Sequence, residues 1–196
     1  SVDILIKGLG GHGAYPHKTI DPIVLASQFI NHLQTIISRE ISPLEPAVIT
    51  VGSIHGGTKH NVIPNEVKLQ LTLRSYNDKV RDQKIKGIKR IARGLAETAG
   101  LPKELYPIVT IKDEYTPALY NDLLLTERIA KNFKATLGKE NVLKILPVMG
   151  GEDFSRYGKE EPKIPSMLFW LGSVNKKDFD KSIRNELALP SLHSDL

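Results

Sequence analysis

The sequence predicts an α+β fold in which one antiparallel sheet carries two helices. A strict alternation of apolar and polar residues over 67–74 indicates a strand with one packed and one solvated face. Two stretches, 22–37 and 78–99, place apolar residues at helical spacing. Further β-rich segments surround these stretches, so the elements follow the order strand, helix, strand, strand, helix, strand. This order is typical of the ferredoxin-like split βαβ arrangement.

The first half of this pattern has clear boundaries. Apolar residues alternate with other side chains over 2–7, which predicts the first strand. Asp21 followed by Pro22 predicts the start of the first helix, because aspartate caps helices and proline suits the first helical position. The short β-rich stretch 47–54 predicts the second strand.

The second half ends the sheet and then changes character. Asn77 or Asp78 is expected to cap the second helix, and Gly100 is expected to end it. The last strand of the sheet is predicted over 105–112. We expect a domain boundary near 117, because the alternation of elements differs beyond it.

Beyond this boundary the sequence predicts part of an α/β sheet. A helix is expected from Asn121 to Leu137, followed by strands over 142–148 and 166–171. The second of these strands is almost wholly apolar, as in a sheet that is covered on both faces. Two strands are too few for a stable domain, so this α/β segment is expected to be incomplete.

Composition excludes several classes of protein. The net charge of +5 raises the question of nucleic acid, but the densest basic run, 84–90, is predicted on the polar face of a helix and carries no interleaved aromatic residues. No apolar run is long enough for a membrane span. The chain has no cysteine, which is compatible with the reducing cytoplasm, and we expect a cytoplasmic protein without nucleic-acid or membrane partners.

The stretch 8–17, GLGGHGAYPH, is the strongest candidate for a functional loop. It holds four glycines and two histidines between the first strand and the first helix. Glycines allow tight turns and close backbone approach, and a histidine held among them has a proton that moves near neutral pH. The alternative is an ordinary glycine-rich surface loop.

Five motifs together resemble the M20 metallopeptidase family, in the same order and spacing. The similarity is greatest to the branch of N-acyl-amino-acid amidohydrolases that includes hippurate hydrolases, auxin-conjugate hydrolases and related carboxypeptidases. The motifs are GGHGAYPH, LQTIISRE, GGTKHNVIPNEVKLQLTLRS, GGEDFS and LHS.

This resemblance implies a domain assignment and a partner. Family members insert a dimerising lid into an α/β catalytic domain that binds two divalent metal ions, such as zinc, manganese, nickel or cobalt. Residues 1–117 would be the lid, and 118–196 the returning part of the catalytic domain. The chain would form a homodimer through its lid. It would supply at most one metal ligand, because the family's other ligands precede the lid.

The resemblance also assigns roles to single residues of the lid. His12 would donate a hydrogen bond to the oxyanion of the reaction, usually in the active site of the partner subunit. Asn61 would help to bind the substrate, and Arg74 would hold its carboxylate. Each has an ordinary alternative, namely a loop histidine bonded to the backbone, an asparagine turn and a solvated arginine.

Beyond the lid, Gly150 and Gly151 would line the substrate pocket and His193 would be the final metal ligand. Glu152 is better interpreted as stabilising this loop than as a general base, because the family's base lies upstream of the lid. The function that follows is metal-dependent hydrolysis of the amide bond of N-acyl-amino acids or short peptides, with this chain inactive by itself. The alternative is a non-catalytic dimerisation or small-molecule-binding module.

Overall fold

The main sheet has four antiparallel strands, namely β1 Val2–Lys7, β3 Ala47–Gly56, β5 Glu66–Ser75 and β6 Ile108–Ile111. They lie side by side in the order β3-β5-β1-β6. The computed structural model describes residues 1–113 and 115–189. The central pair, β1 and β5, is in register from Val2 opposite Leu71 to Lys7 opposite Glu66.

Two long helices connect the strands, in the predicted order. Helix α1 spans Pro22–Thr35, and the Asp21 side chain caps it by accepting a hydrogen bond from the amide of Ile23. Helix α2 spans Asp78–Thr98, and Asn77 caps it by accepting from the amide of Val80. Both caps satisfy amides that have no partner within the helix, so the sequence determines where each helix begins.

The core lies between the two helices and one face of the sheet. Every second residue of β1 and of β5 is buried, as the alternating pattern predicts. Apolar residues at helical spacing on α1 and α2 cover this face. The other face of β5 is exposed, so the sheet is packed on one side. The central core residues include Ile4, Ile6, Leu69, Leu71, Phe29, Leu33, Ile88 and Ala92.

A second, two-stranded sheet lies outside the main one. It joins β2, Gly11–His12, to β4, Val62–Ile63, with Gly11 opposite Ile63 and His12 opposite Val62. Both segments are predicted as loops from the sequence. Strands of two residues are too short to show any alternation, so the periodicity gave no signal for this ribbon.

The α/β segment beyond the lid differs from the prediction. Helix α3 spans Leu123–Leu137 and is capped by Asp122 instead of Asn121. The expected strands over 142–148 and 166–171 are wrong, because the described backbone forms no strand in either stretch. A strand requires hydrogen bonds to a neighbouring strand. Within the described residues no other segment pairs with these two, whatever their β propensity.

The described chain divides into two compact units. The first, Ser1–Ser166, contains both sheets and α1 to α3. The second begins at Met167 and contains helix α4, Lys176–Ile183, which sequence analysis did not predict because it has only two turns. None of the helices in the described ranges has both the length and the apolar character that crossing a bilayer requires.

Candidate functional site

The stretch 8–17, which we call the histidine loop, is attached to the start of β5. The amide of Gly10 donates to Asn65 Oδ1 at 3.0 Å, and the amide of Gly13 donates to the carbonyl of Asn61 at 2.8 Å. A Cβ atom at Gly10 would lie 2.6 Å from the carbonyl oxygen of Ile63, so only glycine fits there. These contacts fix the backbone on both sides of His12.

His12 is exposed, and its ring has a defined tautomer. The backbone amide of Ala14 donates a hydrogen bond to His12 Nδ1 at 3.1 Å. In a neutral imidazole one nitrogen accepts and the other donates, so this bond leaves the proton on Nε2. The Tyr15 ring lies 5.6 Å from the His12 ring, between centroids. The loop therefore presents an N–H donor to solvent from a fixed position.

The two-stranded sheet of β2 and β4 brings Asn61 next to the histidine loop. Asn61 precedes β4, whose Val62 lies opposite His12, and it accepts the amide of Gly13 through its own carbonyl. The Asn61 side chain is exposed. Two of the residues assigned by resemblance, His12 and Asn61, thus lie side by side although 49 positions separate them in sequence.

Arg74 contacts a different candidate, Gly151. A Cβ atom built on Gly151 would lie 3.1 Å from Nη2 and 3.2 Å from Cζ of Arg74. The guanidinium therefore covers the backbone of Gly151 at a distance that leaves little room for a side chain. Gly150 faces open space instead. The Glu152 carboxylate accepts the amide of Phe154 at 3.1 Å, so it stabilises this loop as predicted.

The two groups of candidates lie at opposite ends of the main sheet. The histidine loop adjoins Glu66 at the start of β5, whereas Arg74 lies one residue from the end of that strand. At the usual rise of an extended strand, the eight steps between them span about 27 Å. The attachment point of the histidine loop is therefore separated from Arg74 by a length of strand greater than a small acyl-amino acid spans.

The described residues do not form a metal site. No three His, Asp or Glu side chains among them come close enough to hold an ion. The predicted ligand His193 lies outside the described residues. The described residues by themselves therefore do not supply a two-metal centre.

Lys84 was assigned to the solvated face of α2, and this assignment is wrong. Its side chain is fully buried, at 0% exposure. Its Nζ donates to the backbone carbonyl of Arg74 at 2.5 Å. The sequence did contain a signal, because Lys84 falls four residues after Val80 and four before Ile88, on the buried stripe of the helix.

Burial changes the ionisation of Lys84. Removal from water, together with the nearby cations Arg81 and Arg74, lowers the pKa of Lys84 to about 8. This is the only large shift among the described lysines and arginines.

The mixed α/β fold with its one-sided antiparallel sheet is the fold of a peptidase dimerisation domain. Residues 1–99, slightly more than half of the chain, match the family described as the peptidase dimerisation domain. The chain therefore belongs to the M20 peptidase family through its dimerisation domain.

The chain resembles several members of this family. Thermostable carboxypeptidase 2 of Saccharolobus solfataricus is 36% identical over 174 residues, which are 89% of this chain and 42% of that protein. N-acetyldiaminopimelate deacetylase of Streptococcus uberis is 37% identical over 171 residues, which are 87% of this chain and 43% of that protein. The chain thus spans about two fifths of the length of these relatives.

The fold is also found among solved structures. A crystal structure of a proposed aminohydrolase from methicillin-resistant Staphylococcus aureus has a TM-score of 0.68 and 38% identity, and the match covers 82% of this chain and 40% of that one. An amidase of the hydantoinase/carbamoylase family from Burkholderia ambifaria has a TM-score of 0.60 at 19% identity, over 79% of this chain and 36% of that one. The second likeness concerns the fold alone.

Proposed function

We propose that this chain is the lid and part of the catalytic domain of an enzyme that hydrolyses the amide bond of N-acyl-amino acids or short peptides. The observation that carries the proposal is the hydrogen bond from the Ala14 amide to Nδ1 of His12. Amide hydrolysis passes through a tetrahedral intermediate whose oxygen develops negative charge, and a fixed N–H donor stabilises that charge. The bond from Ala14 to Nδ1 supplies such a donor at Nε2 without any reorganisation.

Arg74 supports the choice of substrate class. Its planar guanidinium suits the bidentate binding of a carboxylate, which every N-acyl-amino acid carries at its free end. The contact with Gly151 keeps the guanidinium against a loop of its own chain. The curated relatives are a carboxypeptidase and a deacetylase, and the substrates that these names denote also carry a free carboxylate.

The separation of the two groups supports a site that is shared between subunits. Because about 27 Å of strand lies between them, one substrate would meet Arg74 of one chain and His12 with Asn61 of the other. A homodimer through the lid satisfies this requirement. Each active site would then be complete only in the dimer.

Mixed dimers of the full-length enzyme test this arrangement. His12→Ala and Arg74→Met chains are each expected to be nearly inactive on benzoylglycine. In a mixed dimer, one site combines the intact His12 of one chain with the intact Arg74 of the other. After random exchange of subunits we expect about a quarter of the wild-type activity. Mixtures that stay inactive, despite proven exchange, would exclude the shared site.

Metal dependence is the remaining part of the proposal. In the full enzyme, two divalent ions held mainly by residues outside this chain would supply the activated water, with His193 as the ligand from this chain. Metal analysis of the full-length protein, followed by chelation and re-addition of zinc, manganese, nickel or cobalt, tests it. Hydrolysis that survives complete removal of metal would contradict it, and the absence of any hydrolysis would favour a non-catalytic dimerisation module.

A further inference from the structure

Lys84 occupies a position where an apolar residue is expected. The buried stripe of α2 runs through Val80, Lys84, Gly87, Ile88 and Ala92, and all its other members are apolar. Burying a charged ammonium group is costly unless a partner compensates it. A leucine or methionine here would avoid that cost, so the lysine calls for a specific explanation.

The partner of Lys84 is the backbone of Arg74. The Nζ–O distance is 2.5 Å, and the bond connects the second turn of α2 to the end of β5. Strand β1 gives no support at this point, because its register with β5 ends with Val2 opposite Leu71. Of the strands in the described residues, β3 alone pairs with β5 here, with Val48 opposite Arg74. Lys84 therefore holds the end of β5 where one neighbouring strand is missing.

We propose that Lys84 is a positioning residue that holds Arg74 so that its guanidinium reaches the carboxylate of the substrate. The inference rests on the role proposed for Arg74 above. Two contacts meet at Arg74. The Lys84 ammonium binds the backbone carbonyl of Arg74, and the Arg74 guanidinium lies against Gly151. If the end of β5 shifts, the guanidinium of Arg74 shifts with it. A displacement of about 1 Å of a substrate-binding group is enough to impair binding and reaction.

The charges around Lys84 couple its protonation to the substrate. Arg81 on its own helix and Arg74 on β5 both repel the ammonium. Among the described residues no carboxylate offsets this repulsion at Lys84, and the exposed Asp82 binds Arg81. A substrate carboxylate bound to Arg74 would offset part of this repulsion and favour the protonated lysine. By linkage, the affinity for the carboxylate is highest below pH 8 and falls as the pH rises through this value.

The test uses the full-length enzyme with Lys84→Met, which keeps the length of the side chain and removes its charge and its bond. Lys89→Met on the exposed face of the same helix is the matched control. The two probes are benzoylglycine and its carboxamide, which differ only in the charge of the group that Arg74 would bind. We expect Lys84→Met to raise the KM for benzoylglycine about tenfold, a loss that corresponds to one charge-assisted hydrogen bond. The kcat and the constants for the carboxamide should change little.

The pH profile provides a second readout that a purely structural role would not change. The KM of the wild type for benzoylglycine should rise above pH 8, and this rise should be absent in Lys84→Met. Equal losses on both probes, or an unchanged KM for benzoylglycine, would overturn the proposal.

Crystal structures of the wild type and of Lys84→Met separate this inference from the proposed function. Displacement of the Arg74 guanidinium from Gly151 by about 1 Å or more supports the positioning role, and an unmoved guanidinium refutes it. This result holds even if the wild type hydrolyses neither probe. In that case the proposed hydrolysis of benzoylglycine is refuted, while the position of the Arg74 guanidinium still tests the role of Lys84.

Discussion

The backbone amide of Ala14 donates to His12 Nδ1 and thereby determines which nitrogen of the ring carries the proton. The two residues are neighbours on a loop whose glycines and asparagine contacts fix its path. A side chain with several rotamers is thus reduced to one donor, Nε2, at one place. This relationship makes His12 suitable for stabilising an oxyanion and distinguishes it from the other histidine of the loop.

Removal of His12 should reduce the rate of reaction more than the binding of substrate. For His12→Ala in the full-length enzyme we expect kcat to fall about 100-fold, the usual loss of one oxyanion donor, with KM changed by less than about threefold. His17→Ala is the control, because within the described loop the His17 ring packs against the edge of Tyr15. Steady-state kinetics measure both. Equal effects of the two variants would refute the special role of His12.

Loss of Arg74 should act on carboxylate substrates alone. For Arg74→Met we expect kcat/KM for benzoylglycine to fall about 10- to 100-fold, because hydrogen bonds to a charged group are lost. The value for the carboxamide of benzoylglycine should stay nearly constant. Arg74→Lys should restore only part of the activity, since an ammonium cannot form the bidentate pair. A uniform loss on both substrates would argue for a structural role of the arginine.

A methyl group at Gly151 should move the guanidinium of Arg74. Its Cβ would lie within 3.3 Å of three guanidinium atoms, whereas a Cβ at Gly158 meets no atom within 4 Å. We expect Gly151→Ala to raise KM for benzoylglycine several-fold, on the order of threefold, by the displacement of the arginine. Gly158→Ala should leave KM unchanged. Crystallography of the first variant would show whether the side chain has shifted.

The core of the lid should determine its stability. Leu33 is completely buried between α1 and the sheet, whereas Leu44 is 90% exposed. Leu33→Ala is expected to lower the free energy of unfolding by about 2–5 kcal/mol, and Leu44→Ala by less than about 0.5 kcal/mol. Urea denaturation of both variants measures the difference. Similar losses at the two positions would contradict the burial described for the lid.

The buried lysine predicts an alkaline rise in stability. The pKa of Lys84 is about 8 in the folded protein and 10.5 in the unfolded chain. Between these values the unfolded chain binds more protons, so the free energy of unfolding increases with pH. Below pH 8 the cost of burying the charge is present in full. We therefore expect the stability of the wild type to rise relative to Lys84→Met from pH 8 to 10.5, as followed by urea denaturation. A constant difference would mean that the lysine is not destabilised by burial.

The sequence predicted most of the lid because its signals are local. Asp21 and Asn77 cap helices through their own side chains, and the alternation in β5 follows from one packed face. The ribbon that joins His12 to Asn61 was missed because two-residue strands have no period. That two-stranded sheet forms only because two segments far apart in sequence, Gly11–His12 and Val62–Ile63, pair with each other.

The errors have a different physical origin. The sequence predicts Lys84 in solvent because lysine rarely lies in a core, whereas its ammonium group is buried and donates to a strand carbonyl that no local pattern indicates. The strands expected over 142–148 and 166–171 were inferred from their apolar, β-prone composition and from the alternation of helices and strands. Propensity describes how a side chain fits a sheet, and it cannot supply the neighbouring strand that completes the hydrogen bonds. The contact of Arg74 with Gly151 depends on the path of the chain beyond the lid, which no local pattern encodes.

The exposed stretch 142–148 has a practical consequence for work with this chain. Its side chains Leu143, Ile145, Leu146 and Val148 are more than half exposed, although they are apolar and favour extended backbone. Such segments attract other chains and promote aggregation. The polypeptide produced by itself should therefore self-associate in two ways. One is the ordered dimer through the lid, and the other is non-specific aggregation through the exposed apolar stretch 142–148. A chain that ends at residue 117 would lack the aggregating stretch and keep the lid dimer, which sedimentation could then measure.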